Sequence, residues 1–442
     1  MFENIIAQPA TDLLKAEILS QRLAPSMLFF GPQASGKGSA AMELARILSC
    51  ENGAALWNCG CASCARHRML LHADLAMIGP RGFAAEIAAS RSAFLRESES
   101  LPARSFFVRS LRKLLARFAP AVWEYEPRKG KANPLSLIQT LEEQLDELES
   151  PAAKVKELTE SIAAGAVKLE DEWISESTPI AQIRKAAYWS RLSPAGKRKT
   201  LVIENADRMK DEARNSLLKL LEEPPDSISI VLTAQRRESV LPTILSRLRP
   251  YRFITRGADQ EREVIRRIFR DSRAADLPGG SPAAERGAAQ GGLVGAYLDS
   301  FLPQPSDALL PLAAFFIAAV ARSAAAMNRG ISPSVKALGS YCAPIAESAG
   351  FDRASQAKET IAVLLSRSGN FEGRSFPRFL AMSLDLVSWS LKQSSPGPYT
   401  AACREVWKKR VGEAQAAYGV WNQRPESALD SLFCRLREDM AA

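Results

Sequence analysis

Met27-Leu28-Phe29-Phe30-Gly31-Pro32-Gln33-Ala34-Ser35-Gly36-Lys37-Gly38 is an apolar run that breaks into a glycine-bounded loop closed by a lysine. The four apolar residues read as a buried strand, and the helix-forming stretch Ser39 to Leu48 follows, which is the strand, loop, helix order of a phosphate-binding loop. Gly31 and Gly36 allow successive backbone N–H groups to turn inward around phosphate oxygens. The helix start adds partial positive charge, and Lys37 reaches the outer phosphates. With Ser39 beside them, these residues are the expected contacts of a nucleotide such as ATP. The next position normally places a Ser or Thr hydroxyl on Mg²⁺, and here it is Gly38. Ser39 stands one residue later, about 100° around a helix, and is not expected to replace that ligand. Metal-assisted hydrolysis is therefore not expected, and whether ATP binds stays open.

A second apolar run, Thr200-Leu201-Val202-Ile203, ends in Glu204-Asn205-Ala206-Asp207. Phosphate-loop ATPases of this kind end such a strand in Asp then Glu, one for the metal shell and one for the attacking water. Glu204 and Asn205 fill the two positions, and an amide is not a general base. Asp207 is expected past the strand, opening the next helix. Ile228 to Thr233 reads as a third buried strand.

Four of the seven cysteines, Cys50, Cys59, Cys61 and Cys64, fall in one short stretch, while Cys342, Cys403 and Cys434 are scattered. Four clustered thiolates are the number a closed tetrahedral zinc site needs, and such a site is structural because no coordination position stays open. Reduced cysteines in a small loop are the competing reading. Gly60, alone between Cys59 and Cys61, is expected to permit a tight turn. His67 and His72 are either substitute ligands or ordinary loop residues.

Val202 to Met209 and Ala213 to Pro225 together resemble the corresponding segment of bacterial DNA polymerase III clamp-loader subunits, of the delta-prime type related to gamma/tau. Ile5-Ile6-Ala7-Gln8, His72-Ala73-Asp74-Leu75 and Pro179 to Arg184 extend the likeness in order, over about residues 1 to 252 apart from an insertion at about 80–177, where the resemblance implies only a short connection. The resemblance implies an α/β fold: an AAA+ P-loop domain with a parallel sheet over 1–252, carrying a small zinc module at about 50–64. A helical lid at 253–300 and an all-helical C-terminal collar at 301–442 follow. It also implies that Arg247, in Ser246-Arg247-Leu248, reaches the outer phosphate of a neighbouring subunit's ATP. Thr233, with Ala234 equally near, falls at the family's phosphate-sensor position. Val294 or Gly295 stands where a second sensor arginine belongs. The family's zinc module has one residue more between the second and third cysteines. Implied partners are gamma/tau and delta subunits in a hetero-oligomeric ring, the sliding clamp and primer-template DNA. The gamma/tau-type motor subunit is the nearest alternative, but it calls for a hydroxyl residue at 38 and an Asp-Glu pair at 204–205. A free-standing zinc-containing nucleic-acid-binding protein is the alternative from another class.

Between residues 80 and 177 lies an insertion too long for a plain loop. Phe107, Leu111, Leu114 and Phe118 recur at helical spacing, as do Ile138, Leu141, Leu145 and Leu148, and then Val155, Leu158 and Ile162 beyond Pro151. From Arg81 to Lys131 basic residues outnumber acidic ones by 11 to 5, and from Glu142 to Glu176 acidic ones lead by 11 to 3. A helical protrusion with a basic and an acidic arm is expected, its charges either cancelling along a hairpin or meeting DNA or another partner. The charged stretch Asp259 to Arg273 reads as helix, and Pro278 to Gly292 as a flexible loop. The formal charge of +9 over 442 residues modestly favours acidic partners. No secretory pattern opens the chain, and the run Ala308 to Ala321, interrupted by Pro311, reads as a buried helix too short to span a bilayer, so a cytoplasmic location is expected.

Overall fold

The computed structural model describes residues 1–127, 133–150, 154–272, 292–302, 306–328, 330–351, 375–393, 398–419 and 423–441. They cluster into two units, Met1–Leu302 and Pro303–Ala442, so the stretch read as a lid belongs with the first. The loop expected over Pro278 to Gly292 lies, except for Gly292, outside the described residues.

The apolar runs of the first unit become a parallel sheet of β1 (Ser26–Phe30), β2 (Leu75–Ile78), β3 (Lys199–Ile203), β4 (Ile228–Ala234) and β5 (Arg249–Arg252), in the order β2-β3-β4-β1-β5. Both faces are covered, which is why the inner strands are apolar without alternation. The helices of this unit are α1 (Pro9–Leu19), α2 (Lys37–Leu48), α3 (Ala62–Arg68), α4 (Ala84–Arg96), α5 (Leu101–Leu115), α6 (Pro134–Glu147), α7 (Val155–Trp173), α8 (Ile180–Ser190), α9 (Asp211–Glu222), α10 (Pro242–Leu245), α11 (Ala258–Ile268) and α12 (Gly292–Asp299). Met27, Phe29, Met77, Val202 and Val231 face Leu14 of α1 and Ala40, Ala41 and Leu44 of α2. Leu28, Ile78, Leu201, Ile203 and Leu232 face Ile183 of α8 and Leu217 and Leu221 of α9. The chain leaves β1 toward β2 on one side and returns as β5 on the other. The carboxyl end of β1 is thus the switch point where such sheets hold ligands.

The insertion is not a free protrusion. Phe107, Leu111, Leu114, Phe118, Leu141, Leu145, Leu148, Leu158 and Ile162 do share one core, as their spacing foretold. α6 and α7 pack so closely that a Cβ on Gly165 would stand 3.0 Å from Leu141. Yet basic residues of α5 turn inward rather than to solvent. Arg109 donates to the carbonyl of Arg68, and Arg112 donates to that of Met69 at 3.4 Å, so both cap the end of α3. Part of the expected charge cancellation occurs as well, between Arg91 and Glu160 at 3.4 Å and between Arg81 and both Asp171 and Glu176.

In the second unit every described element is helical: α13 (Ser306–Met327), α14 (Pro333–Ser348), α15 (Ser375–Gln393), α16 (Pro398–Gly419) and α17 (Pro425–Ala441). α13 runs through Pro311, which near its start removes one backbone bond, so the apolar helix is longer than the sequence suggested. Its Leu309–Met327 portion is long and apolar enough to cross a membrane, but it is the core helix of this unit. Phe316, fully buried, meets Phe379, Phe433 and Trp407 edge-on at 5.6, 5.9 and 6.3 Å.

Candidate functional site

The loop 31–36 sits at the carboxyl end of β1 and delivers its glycines where backbone demands them. Gly31 has φ +151°, and a Cβ there would lie 2.1 Å from the Phe253 carbonyl oxygen; Gly36 has φ +93° and caps α2. Lys37 is buried, and its Nζ donates to the Gly31 carbonyl at 2.8 Å, to that of Pro32, and to Ser35 Oγ at 3.3 Å. Burial brings this ammonium down to about 8, although Asp207 and Glu204 favour its charge. Arg256, which no motif pointed to, braces the loop from behind: Nη1 and Nη2 donate to the carbonyls of Ala34 and Ser35 at 3.1 and 2.9 Å, and Nε to that of Ile6 at 2.8 Å. Fixing carbonyls outward is what leaves loop amides free to line an anion cradle. Gln8 exchanges two hydrogen bonds with the backbone of Ile254, at 2.8 and 2.9 Å, and so joins the N-terminal segment to the end of β5.

Glu204, at the end of β3, does not stand ready for a metal ion. Arg117 donates to its Oε2 from Nη2, and Lys113 Nζ lies 3.7 Å from its Oε1 and 2.9 Å from Glu86 Oε2. Burial penalises the Glu204 carboxylate, but the two cations outweigh it and hold its pKa below the ordinary carboxylate range. Burial likewise opposes the Lys113 charge, and Glu204 and Glu86 outweigh it and raise its pKa. Glu204 also fills the space that a side chain at position 38 would need, since a Cβ on Gly38 would lie 2.7 Å from Glu204 Oε1. Ser39 is exposed. Asn205 adopts the left-handed conformation, φ +50°, and its N–H donates to Thr233 Oγ1 at 3.0 Å, which engages the candidate sensor hydroxyl with the neighbouring strand end. Asp207 does not open a helix: it lies in a 3₁₀ turn, Ala206–Arg208, ahead of α9. The residues present do not fit Mg²⁺, because its usual carboxylate is already neutralised by two cations and its hydroxyl ligand is missing.

A second cluster lies behind α2. The sulfurs of Cys50, Cys59, Cys61 and Cys64 all fall within 4.8 Å of one another, and those of Cys50 and Cys59 are 3.7 Å apart. Zn–S bonds of about 2.3 Å place tetrahedral sulfurs about 3.8 Å apart, so the four thiols fit such an ion with little movement. The cluster is built by Arg46 of α2. Its Nη1 donates to Leu56 O and Cys64 Sγ, both at 3.1 Å, its Nη2 to Ala55 O at 2.8 Å, and Glu43 grips it through both carboxylate oxygens. Gly60 has open space around it and no left-handed backbone, so the short gap does not require glycine. His67 and His72 are buried and stack on each other at 4.1 Å; His72 also hydrogen-bonds Ser63 Oγ and the N–H of Asp74, and neither belongs to the thiol cluster.

Arg247 follows α10 at the rim of the sheet. It is one-third exposed, donates to Thr243 O at 2.6 Å and pairs with Glu222 at 2.7 Å. Val294 is buried against Ile265 and Phe269, and Gly295 adds no side chain, so neither places a cation near the loop.

The parallel sheet, the braced glycine loop and the helices that cover both faces define an AAA+-like P-loop protein whose metal position is taken. The model of the family "DNA polymerase III, delta subunit" matches residues 6–116 and 137–256, and the chain belongs to that family as a delta-prime-like clamp-loader subunit. The match runs through much of the stretch read as an insertion, leaving 117–136 outside it. A DNA polymerase III gamma subunit-related protein from Thermotoga maritima is similar at 18% identity over 59% of this chain and 79% of that one, with a TM-score of 0.30. No curated protein matches the chain.

Proposed function

We propose that this chain is a hydrolytically silent member of a clamp-loader ring that lends Arg247 to a neighbour's ATP while loading the sliding clamp on primer-template DNA. The observation that carries the reading is the contrast between the carboxylate at the metal position and the arginine expected to meet phosphate. Glu204 is committed to internal cations, whereas Arg247 is at the surface and held by a single carboxylate, Glu222. A half-exposed pair of that kind is worth about 0–1 kcal/mol, so a phosphate oxygen displaces Glu222 at little cost. Arginine suits the task because its planar guanidinium stays charged and pairs with two oxygens at once.

Gamma/tau and delta subunits are the proposed ring partners, the second unit is the proposed collar, zinc is the proposed ion of the four thiolates, and a cytoplasmic location accords with that work. The test is ATP turnover by the chain alone and by rings assembled with those partners. The isolated chain should show none, and the ring should hydrolyse ATP in a manner dependent on Arg247. Robust turnover by the isolated chain, abolished by Lys37→Ala, would replace this reading with that of a motor subunit.

A further inference from the structure

We infer that Lys113 and Arg117 are a built-in substitute for the divalent ion of the P-loop site, and that α5, which carries Lys113, fixes the lid to the sheet. This rests on the silent-site part of the proposed function and adds the agent of the silence.

Three observations converge. First, the charge that a metal would supply is already present: Arg117 is 1% exposed and Lys113 largely buried, and both meet the carboxylate at the end of β3. A divalent ion brought to Glu204 would face two cations within contact distance. Second, Gly38 suits this arrangement, because a Cβ would press on the Glu204 oxygen that faces Lys113. The missing hydroxyl and the added cations are thus complementary changes around one carboxylate.

Third, the same helix reaches the lid. Phe106 of α5 meets Phe269 edge-on at 5.4 Å, and Lys113 lies two turns further along, about 10 Å away on a rigid rod. The preceding helix, α4, adds Arg96, which donates to Phe269 O at 2.6 Å and to Arg270 O at 3.2 Å and lies 3.6 Å from the buried carboxylate of Asp271. Glu97 pairs with Arg270 at 2.5 Å. Lid and P-loop site are therefore joined through packed side chains of the chain itself.

The test uses the full chain and Mn²⁺ as the probe. Electron paramagnetic resonance should detect no Glu204-dependent Mn²⁺ site in the wild type. Lys113→Ala/Arg117→Ala should melt roughly 5–15 °C lower, because it leaves a buried carboxylate unpaired. It should also gain one Mn²⁺ site that disappears with Glu204→Gln, and lose hydrogen-exchange protection in the lid helices. Adding Glu204→Gln should restore most of the melting temperature, which a purely steric role for the two side chains would not allow. Should the double variant fail to fold, the triple variant is still expected to fold, since the three charges answer one another. A wild-type Mn²⁺ site that needs Glu204, a double variant without one, or a triple variant no more stable than the double would each overturn the inference.

Discussion

Arg46 Nη1 lies 3.1 Å from Cys64 Sγ while its Nε and Nη2 hold Glu43, so one buried guanidinium ties the P-loop helix to the thiol cluster. An N–H directed at sulfur stabilises the thiolate that a metal requires. Arg46→Ala is expected to cost about 3–5 kcal/mol, since Glu43 would be left buried without its partner, and to weaken the metal about 10–100-fold. Chelator competition and urea unfolding measure the two effects. Adding Glu43→Gln should recover much of the stability but not the affinity.

Protein purified without chelator should carry one equivalent of zinc, read by elemental analysis. Cys61→Ser together with Cys64→Ser should abolish it, and removal of the metal should lower the melting temperature because the loop from Cys50 to Cys64 then loses its cross-link. Retention of zinc by that double variant would show that other ligands hold it.

Arg247→Ala should leave stability within about 1 kcal/mol of wild type, as expected for a partly exposed ion pair. In assembled rings the one ATP site it serves should slow by roughly 10³ to 10⁵, with a smaller loss over the whole ring. ATPase and clamp-loading rates, with assembly checked separately, decide the point. Normal rates would return Arg247 to an ordinary loop residue.

Lys37 gives the site a pH signature. Its pKa falls from 10.5 in the unfolded chain to about 8 in the fold, with burial as the main cause and Asp207 and Glu204 opposing it. Between those values the unfolded state binds more protons, so stability rises with pH from about 8 to 10.5 and the penalty is complete below 8. The full span is about 3 kcal/mol at most. Lys37→Met should remove this slope, so the stability of wild type relative to the variant should increase over that window. A difference independent of pH would mean that Lys37 titrates normally.

Phe316→Ala should destabilise the second unit by about 3–5 kcal/mol, because three aromatic rings close around that side chain and cannot collapse into the space it leaves. Hydrogen exchange resolved by segment should show the loss in α13 to α17 while the sheet of the first unit keeps its protection.

The sequence alone determined the three inner strands β1, β3 and β4, the P-loop, the thiol cluster and the absence of a metal hydroxyl, because each is written in contiguous residues whose spacing is short-range geometry; the short edge strands β2 and β5 showed only in the structure. Apolar runs must be buried, glycines at 31 and 36 must serve unusual backbone, and four nearby thiols must be neighbours in space. The all-helical pattern of the second unit was legible for the same reason. Only the tertiary structure decided where long charged side chains go. Arg109, Arg112, Lys113 and Arg117 fall outside the apolar repeat of their helix, and whether such residues meet solvent, DNA or the protein's own interior is set by what packs against them. Glu204 lies 87 residues from Arg117, Arg256 reaches a loop 221 residues earlier, and Arg96 meets carbonyls more than 170 residues away. No local spacing encodes these pairings, because a side chain with four or more rotatable bonds takes its direction from the partners that folding brings within reach.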